Sequence, residues 1–300
     1  MNVASLTFSR PSPALAVGLA LTAVYLLWGT TYYAIAIALP AYPPFLLTAV
    51  RMLIAGAAML VWLRARGAAW PNAAQWRNLL PLALLMTVLS NAMVNYAEQS
   101  VSSGLAAVGV AAMPLWAGVF SAARGHHPSR SEWLGIFVGF IGVAWLNIGS
   151  ELHASLLGLL ALLLAPIAWA GGSIWSRGRD LPEPIMSSAC QMLLGSGLSL
   201  LVGLGAGERI HALPGSEPTL AMLYLVVAGS ILGFTAYIWL LHHVRPALAT
   251  SYAYVNPPIA VLVGALLLHE RVDAHEIGAM AVILLGVAII ARAKTVKKIA

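Results

Sequence analysis

Of the chain's 300 residues, 60% are hydrophobic and only 9% are charged, against roughly 25% charged residues in a soluble domain. That is too few charges to coat a soluble globule of this size, so the solvent for most of the chain is lipid. The net charge of +6 does not signal nucleic acid: the three lysines, Lys294, Lys297 and Lys298, sit in the tail, and thirteen arginines are scattered at loop edges, whereas nucleic-acid binding needs a clustered patch or a recognisable module.

A membrane-spanning helix needs about 20 mostly apolar residues. Ten such runs occur, near 14–38, 44–63, 76–97, 102–123, 132–149, 155–176, 184–206, 218–241, 246–268 and 273–292. They are continuously apolar rather than alternating, which predicts helices, because lipid tolerates only structures whose backbone polar groups are satisfied internally. The first run is too long for a signal-peptide core and no small-residue cleavage site follows it, so it is expected to be a retained first helix. The single cysteine, Cys190, excludes an intrachain disulfide framework and a zinc-ligand set, and its apolar run predicts a packing role.

Positive charge predicts orientation. With an even number of crossings both ends share a side. That side collects thirteen cations: Arg10, Arg64, Arg66, Arg77, Arg124, Arg130, Arg177, Arg179, Arg245, Arg292 and the three lysines. The opposite side collects two, Arg209 and Arg271. Both termini are therefore expected in the cytoplasm.

The chain also resembles itself. A shift of 143 residues aligns Val101 with Val244, Leu105 with Leu248, Ala106 with Ala249, Pro114 with Pro257 and Gly135 with Gly278. With one insertion, Glu132 meets Glu276 and Gly142-Val143-Ala144 meets Gly286-Val287-Ala288. Trp28 and Trp169 each stand on the first helix of a half. The expected fold is an all-α integral membrane protein of ten helices in two five-helix repeats, 1–149 and 150–300. Five is odd, so the second repeat would enter the membrane inverted, the basis of alternating access.

Charged side chains inside a bilayer are costly and usually functional. Arg51, about eight residues into the second run, stands almost alone. Two readings fit it: a fixed cation for a substrate carboxylate, or a structural arginine that snorkels to the interface or hydrogen-bonds backbone carbonyls. Glu98, at an outer helix end, is a second charge candidate. Asn91 and Asn95 share a face of the third helix at i,i+4, followed by Tyr96. Trp28 and Tyr32 do the same on the first. Trp116, Trp169, Ser173, Tyr237, Tyr252 and Asn256 complete a candidate cavity of aromatic walls with a few amides and hydroxyls. Interfacial belts and interhelical hydrogen bonds are the structural alternative for such residues, and Trp70, Trp76 and Trp133 are assigned to the belt. Pro257-Pro258, with Pro114 as counterpart, are candidates for kinks that free backbone carbonyls. Gly135-x-x-x-Gly139 and Gly229-x-x-x-Gly233 predict close helix packing. The paired histidines 126–127 and 242–243 are adjacent rather than at i,i+4, so no metal is expected. No phosphate-binding loop, dinucleotide fingerprint or nucleophile elbow is present, so neither a cofactor nor an enzymatic activity is expected.

Trp28-Gly29-Thr30-Thr31-Tyr32, Arg51 followed by small residues, and Pro257, Ala260, Gly264, Glu270, Gly278 and Gly286 together resemble the EamA family of the drug/metabolite transporter superfamily. Within it the chain is similar to the bacterial YddG-type amino-acid exporters. The resemblance implies an inner-membrane carrier that exports small metabolites. One departure is visible: the family glutamate after the proline helix is present as Glu270, whereas the first-half equivalent is His127. The expected function is secondary export of amino acids or related small metabolites, by a chain whose partners are a small-molecule substrate and the bilayer and which acts as a monomer. The alternative is a multidrug exporter of lipophilic or quaternary cations, in which aromatics would act through cation–π contacts.

Overall fold

The computed structural model describes residues 12–100, 109–146, 148, 155–267 and 272–293. Arg10, residues 101–108, the junction of the halves at 149–150, Glu270, Arg271 and the tail lysines lie outside them. Every regular element among the described residues is helical. We label the long segments α1 (Pro13–Ala38), α2 (Pro44–Ala65), α3 (Ala73–Ala97), α4 (Met113–Ala123), α5 (Arg130–Leu146), α6 (Leu156–Ser176), α7 (Pro184–Gly205), α8 (Ser216–His243), α9 (Tyr252–Leu267) and α10 (Ala274–Arg292). Seven of these, α1, α2, α3, α6, α7, α8 and α10, are long and apolar enough to cross a membrane. The stretch Gly109–Ala123, which contains α4, is apolar but shorter.

Helix starts follow local chemistry, and they match between halves. Ser12 and Ser155 cap α1 and α6 by accepting from Leu15 N and Gly158 N. Pro44 and Pro184 open α2 and α7 in the first turn, where the missing N–H costs nothing. Reciprocal side-chain caps start α5 (Ser129 with Glu132) and α10 (Asp273 with Glu276). Gly67 and Gly207 follow the ends of α2 and α7 with φ of 79° and 81°, a left-handed conformation that glycine adopts without strain.

Two features were not expected. Both α3 and α8 widen into π-helix over ten residues, Ala83–Ala92 and Leu225–Phe234. The ninth apolar run, expected to be continuous with its kink at the double proline, is instead interrupted at Thr250–Ser251, between a helical turn Pro246–Ala249 and α9. There Thr250 Oγ1 donates to Pro246 O and Ser251 Oγ to Leu248 O, hydroxyl-to-carbonyl bonds that compete with regular helix. Pro257 and Pro258 lie inside α9. Pro114 sits in the first turn of α4, just after a break at Ala112.

Packing is exchanged consistently when the halves are swapped. The helices α2 and α7 pack on each other, as do α5 and α10. The packing of α1 on α9 is matched by α6 on α4, α1 on α8 by α6 on α3, and α2 on α8 by α7 on α3. The pair α5–α10 forms a small core of its own with Tyr254, and small residues let it close: a Cβ at Gly135 would stand 2.8 Å from Gly286 O. Large apolar side chains such as Leu157, Leu163, Leu201 and Leu285 point outward, as lipid requires.

Loop contacts sort the connections into two rims. On one, Gln75 Nε2 donates to Asp180 Oδ1 at 3.0 Å, Arg124 Nη1 to Ile174 O at 2.7 Å and Arg245 Nη2 to Ile290 O at 2.8 Å. Arg177 also donates to Val244 O. Arginines just past α4, α6 and α8 thus each bond a carbonyl at or beyond the C-terminal end of α6, α8 and α10, where cations are favourable. Arg245 also pairs with Glu132 at 2.7 Å. On the other rim, Glu208 accepts from Phe45 N and Leu46 N, and Ser100 bonds Ser155.

Candidate functional site

A partly enclosed cavity of about 570 Å³, its mouth included, lies between the halves. Its walls come from α1 (Trp28, Thr31, Tyr32, Ile35), α2 (Arg51), α3 (Ser90, Asn91, Val94, Asn95), Val110 just before α4, the first residue of α4 (Met113), α6 (Ala165, Pro166, Trp169) and α9 (Tyr252, Asn256).

On the side of the arginine-rich rim the cavity is closed by aromatic rings. Trp28 stands at their centre, with ring centroids 5.4 Å from Trp169, 5.6 Å from Phe234, 5.2 Å from Tyr237 and 4.6 Å from Tyr252. Mostly tilted or edge-to-face geometry aligns ring edges with π faces, the favourable arrangement. Trp28 Nε1 donates to Gly229 O at 2.9 Å, and Gly233 leaves room for the indole on the same helix. Tyr237 and Ser173 hydroxyls bond at 2.7 Å, and Ser173 Oγ also donates to Trp169 O. Tyr25 bonds Ser251 at 2.6 Å one layer nearer the rim.

The two π-helical stretches position the polar groups. The widened turn of α3 carries Ser90 and Asn91 to the cavity wall. That of α8 supplies Gly229 O to Trp28 and Ser230 Oγ to Arg51, whose Nε donates at 2.7 Å. Such bulges recur at functional sites because they release backbone and side-chain groups from the regular ladder. Asn95 Nδ2 donates to Thr48 Oγ1 at 3.0 Å, bracing α3 against α2. Buried and without hydrogen-bond partners are the side-chain oxygens Asn91 Oδ1 and Asn256 Oδ1, together with Glu98 Oε1.

Of the residues singled out from the sequence, Trp28, Tyr32, Arg51, Asn91, Asn95, Trp169, Tyr252 and Asn256 line one cavity. Tyr237 and Ser173 stand behind its aromatic floor. Tyr96 packs on Phe45 and Trp116 on Phe120, away from the cavity wall. Thr31, Ser90, Met113 and Pro166 line it and were missed. Pro166, a proline inside the apolar run of α6, was the one with a legible signal. Among the described residues no three His, Cys, Asp or Glu side chains converge as a metal site would need.

The EamA-like transporter family matches residues 14–148 and 156–292, one copy over each half. Similar proteins include the "Uncharacterized inner membrane transporter YedA" of Escherichia coli K12, 39% identical over 276 residues that make up 92% of this chain and 90% of that protein. The "Uncharacterized transporter YvbV" of Bacillus subtilis 168 is 24% identical over 91% of this chain and 90% of its own length. A chain of known crystal structure is similar in fold, with a TM-score of 0.75 and 23% identity over 94% of this chain and 98% of that one.

Proposed function

The chain belongs to the EamA-like transporter family, and from that membership we propose that this membrane transporter exports neutral amino acids or related small metabolites, as YddG-type exporters do. It works as a secondary carrier in the bacterial inner membrane, by alternating access between two inverted five-helix halves, 1–149 and 150–300, with both termini cytoplasmic. The arginine-rich rim is then the cytoplasmic one.

The cavity carries this reading. Its aromatic floor of Trp28, Trp169 and Tyr252 suits an apolar side chain, and the amides of Asn91 and Asn256 suit the polar end of a small zwitterion. The exporter of lipophilic cations fits less well. Aromatic faces would attract a cation, but the charged side chain lining the wall is Arg51, which repels one.

Purified protein in liposomes is expected to move at least one neutral amino acid without ATP, and not tetraphenylphosphonium. Flux of the phosphonium with none of any neutral amino acid would reverse the assignment.

A further inference from the structure

We propose that Arg51 is the carboxylate-binding residue of the cavity and that it fixes which way round a zwitterionic substrate lies; this rests on reading the cavity as an amino-acid site. Arg51 is 2% exposed. It does not snorkel to a rim but lines the cavity. Its Nε is held by Ser230 Oγ at 2.7 Å, which uses one of the five N–H donors of a guanidinium. The ion pair among the described residues joins Arg245 and Glu132, and none of the described acids pairs with Arg51.

A buried charge without a counter-ion is expensive. The surroundings nevertheless keep room for this one. A Cβ at residue 229 would stand 2.8 Å from Arg51 Nη2 and 3.0 Å from Thr31 Cγ2, so glycine there lets the guanidinium seat against α8. Among the described residues its hydrogen bond is the one from Nε, and Nη1 and Nη2 remain as paired donors in the geometry a carboxylate accepts. The complementary groups are in the same cavity: Asn91 Oδ1 and Asn256 Oδ1 are buried acceptors without partners. A cation with spare donors and two amide oxygens with spare lone pairs match a carboxylate and an ammonium on one small molecule. With the aromatic floor as a third contact, orientation is set.

The test uses full-length protein in lipid nanodiscs and three radiolabelled probes. They are leucine, leucine methyl ester (ammonium only) and 4-methylpentanoate (carboxylate only). Leucine is expected to bind the wild type about tenfold or more tighter than the ester, the scale of a charge-assisted hydrogen bond. Arg51→Gln is expected to erase that preference by weakening leucine and leaving the ester unchanged. Arg51→Lys should keep part of it, and Ser230→Ala should weaken leucine severalfold. A wild type that binds ester and acid equally overturns the assignment, as does an Arg51→Gln protein that keeps the preference. In both cases amino-acid flux into liposomes, measured separately, leaves the proposed function standing. If no neutral amino acid moves, that function falls and 4-methylpentanoate decides: binding lost in Arg51→Gln upholds the carboxylate site, and binding absent or unchanged overturns it. Should Arg51→Gln fail to fold, the wild-type preference and its weakening in Arg51→Lys are both required.

Discussion

Trp28 of α1 and Trp169 of α6 meet edge to face across the join between the halves, with ring centroids 5.4 Å apart and planes at 81°. The first helices of the two repeats thus contribute the same residue type to one floor. Below it, Tyr25–Ser251 and the contacts of the arginine-rich rim close the cavity on that side, and above it Thr31, Tyr32, Asn91 and Asn256 line the wall.

Trp28 combines ring packing with a hydrogen bond to Gly229 O. Trp28→Phe should lower unfolding stability in detergent by about 1 kcal/mol, one buried hydrogen bond. Trp28→Ala should cost about 3–5 kcal/mol, because it also opens a cavity. Equal losses would mean that the ring packing contributes nothing.

Glycines should divide by what surrounds them. At Gly135 a Cβ meets Gly286 O and Ile290 N within 2.9 Å, whereas at Gly197 nothing lies within 4 Å. Gly135→Ala is expected to destabilise by about 1–3 kcal/mol through forced separation of α5 and α10. Gly197→Ala is expected to stabilise α7 by about 0.5–1 kcal/mol. Thermal unfolding of the two purified variants checks the sign as well as the size.

Glu208 supplies from a loop the cap that α2 lacks: Pro43 makes no side-chain cap, and the carboxylate accepts from Phe45 N and Leu46 N at 3.2 and 2.9 Å. Glu208→Ala should cost about 1–2 kcal/mol, and Glu208→Gln less, since one oxygen remains to accept. A Gln variant as weak as the Ala variant would count against capping.

Arg245 ties α5 to α10 through Glu132 and Ile290 O. Arg245→Gln should loosen the arginine-rich rim. A cysteine placed at buried Ser173 is then expected to react faster with a polar thiol reagent added from that side. An unchanged rate would place the closure in the aromatic floor alone.

Tags at the two termini are expected on one face of the membrane, the cytoplasmic one, by protease accessibility in vesicles of known orientation. Tags on opposite faces would break the pairing of inverted halves.

Composition and hydropathy made the membrane class and nearly all helix bounds readable, because a long apolar run has one stable form in lipid and Ser, Asp and Pro mark its start locally. The repeat was readable too, in the shared order and near-constant offset of residues from Trp28 and Trp169 to Glu132 and Glu276. Other features came only from three-dimensional packing. The π-helical turns at Ala83–Ala92 and Leu225–Phe234 carry no periodic signature, since both stretches read as ordinary apolar helix. The break at Thr250–Ser251 was decided by hydroxyl bonds to nearby carbonyls, while the double proline drew attention away from it. Which polar residues share a cavity depends on helix rotation, set by contacts between distant segments. Asn95 and Tyr96 are neighbours in the chain, yet one lines the wall and the other packs on Phe45. The isolation of Arg51 was visible along the chain, but its freedom from any described carboxylate, with Ser230 bonded to Nε and Gly229 packed against Nη2, exists only once α2 and α8 are side by side.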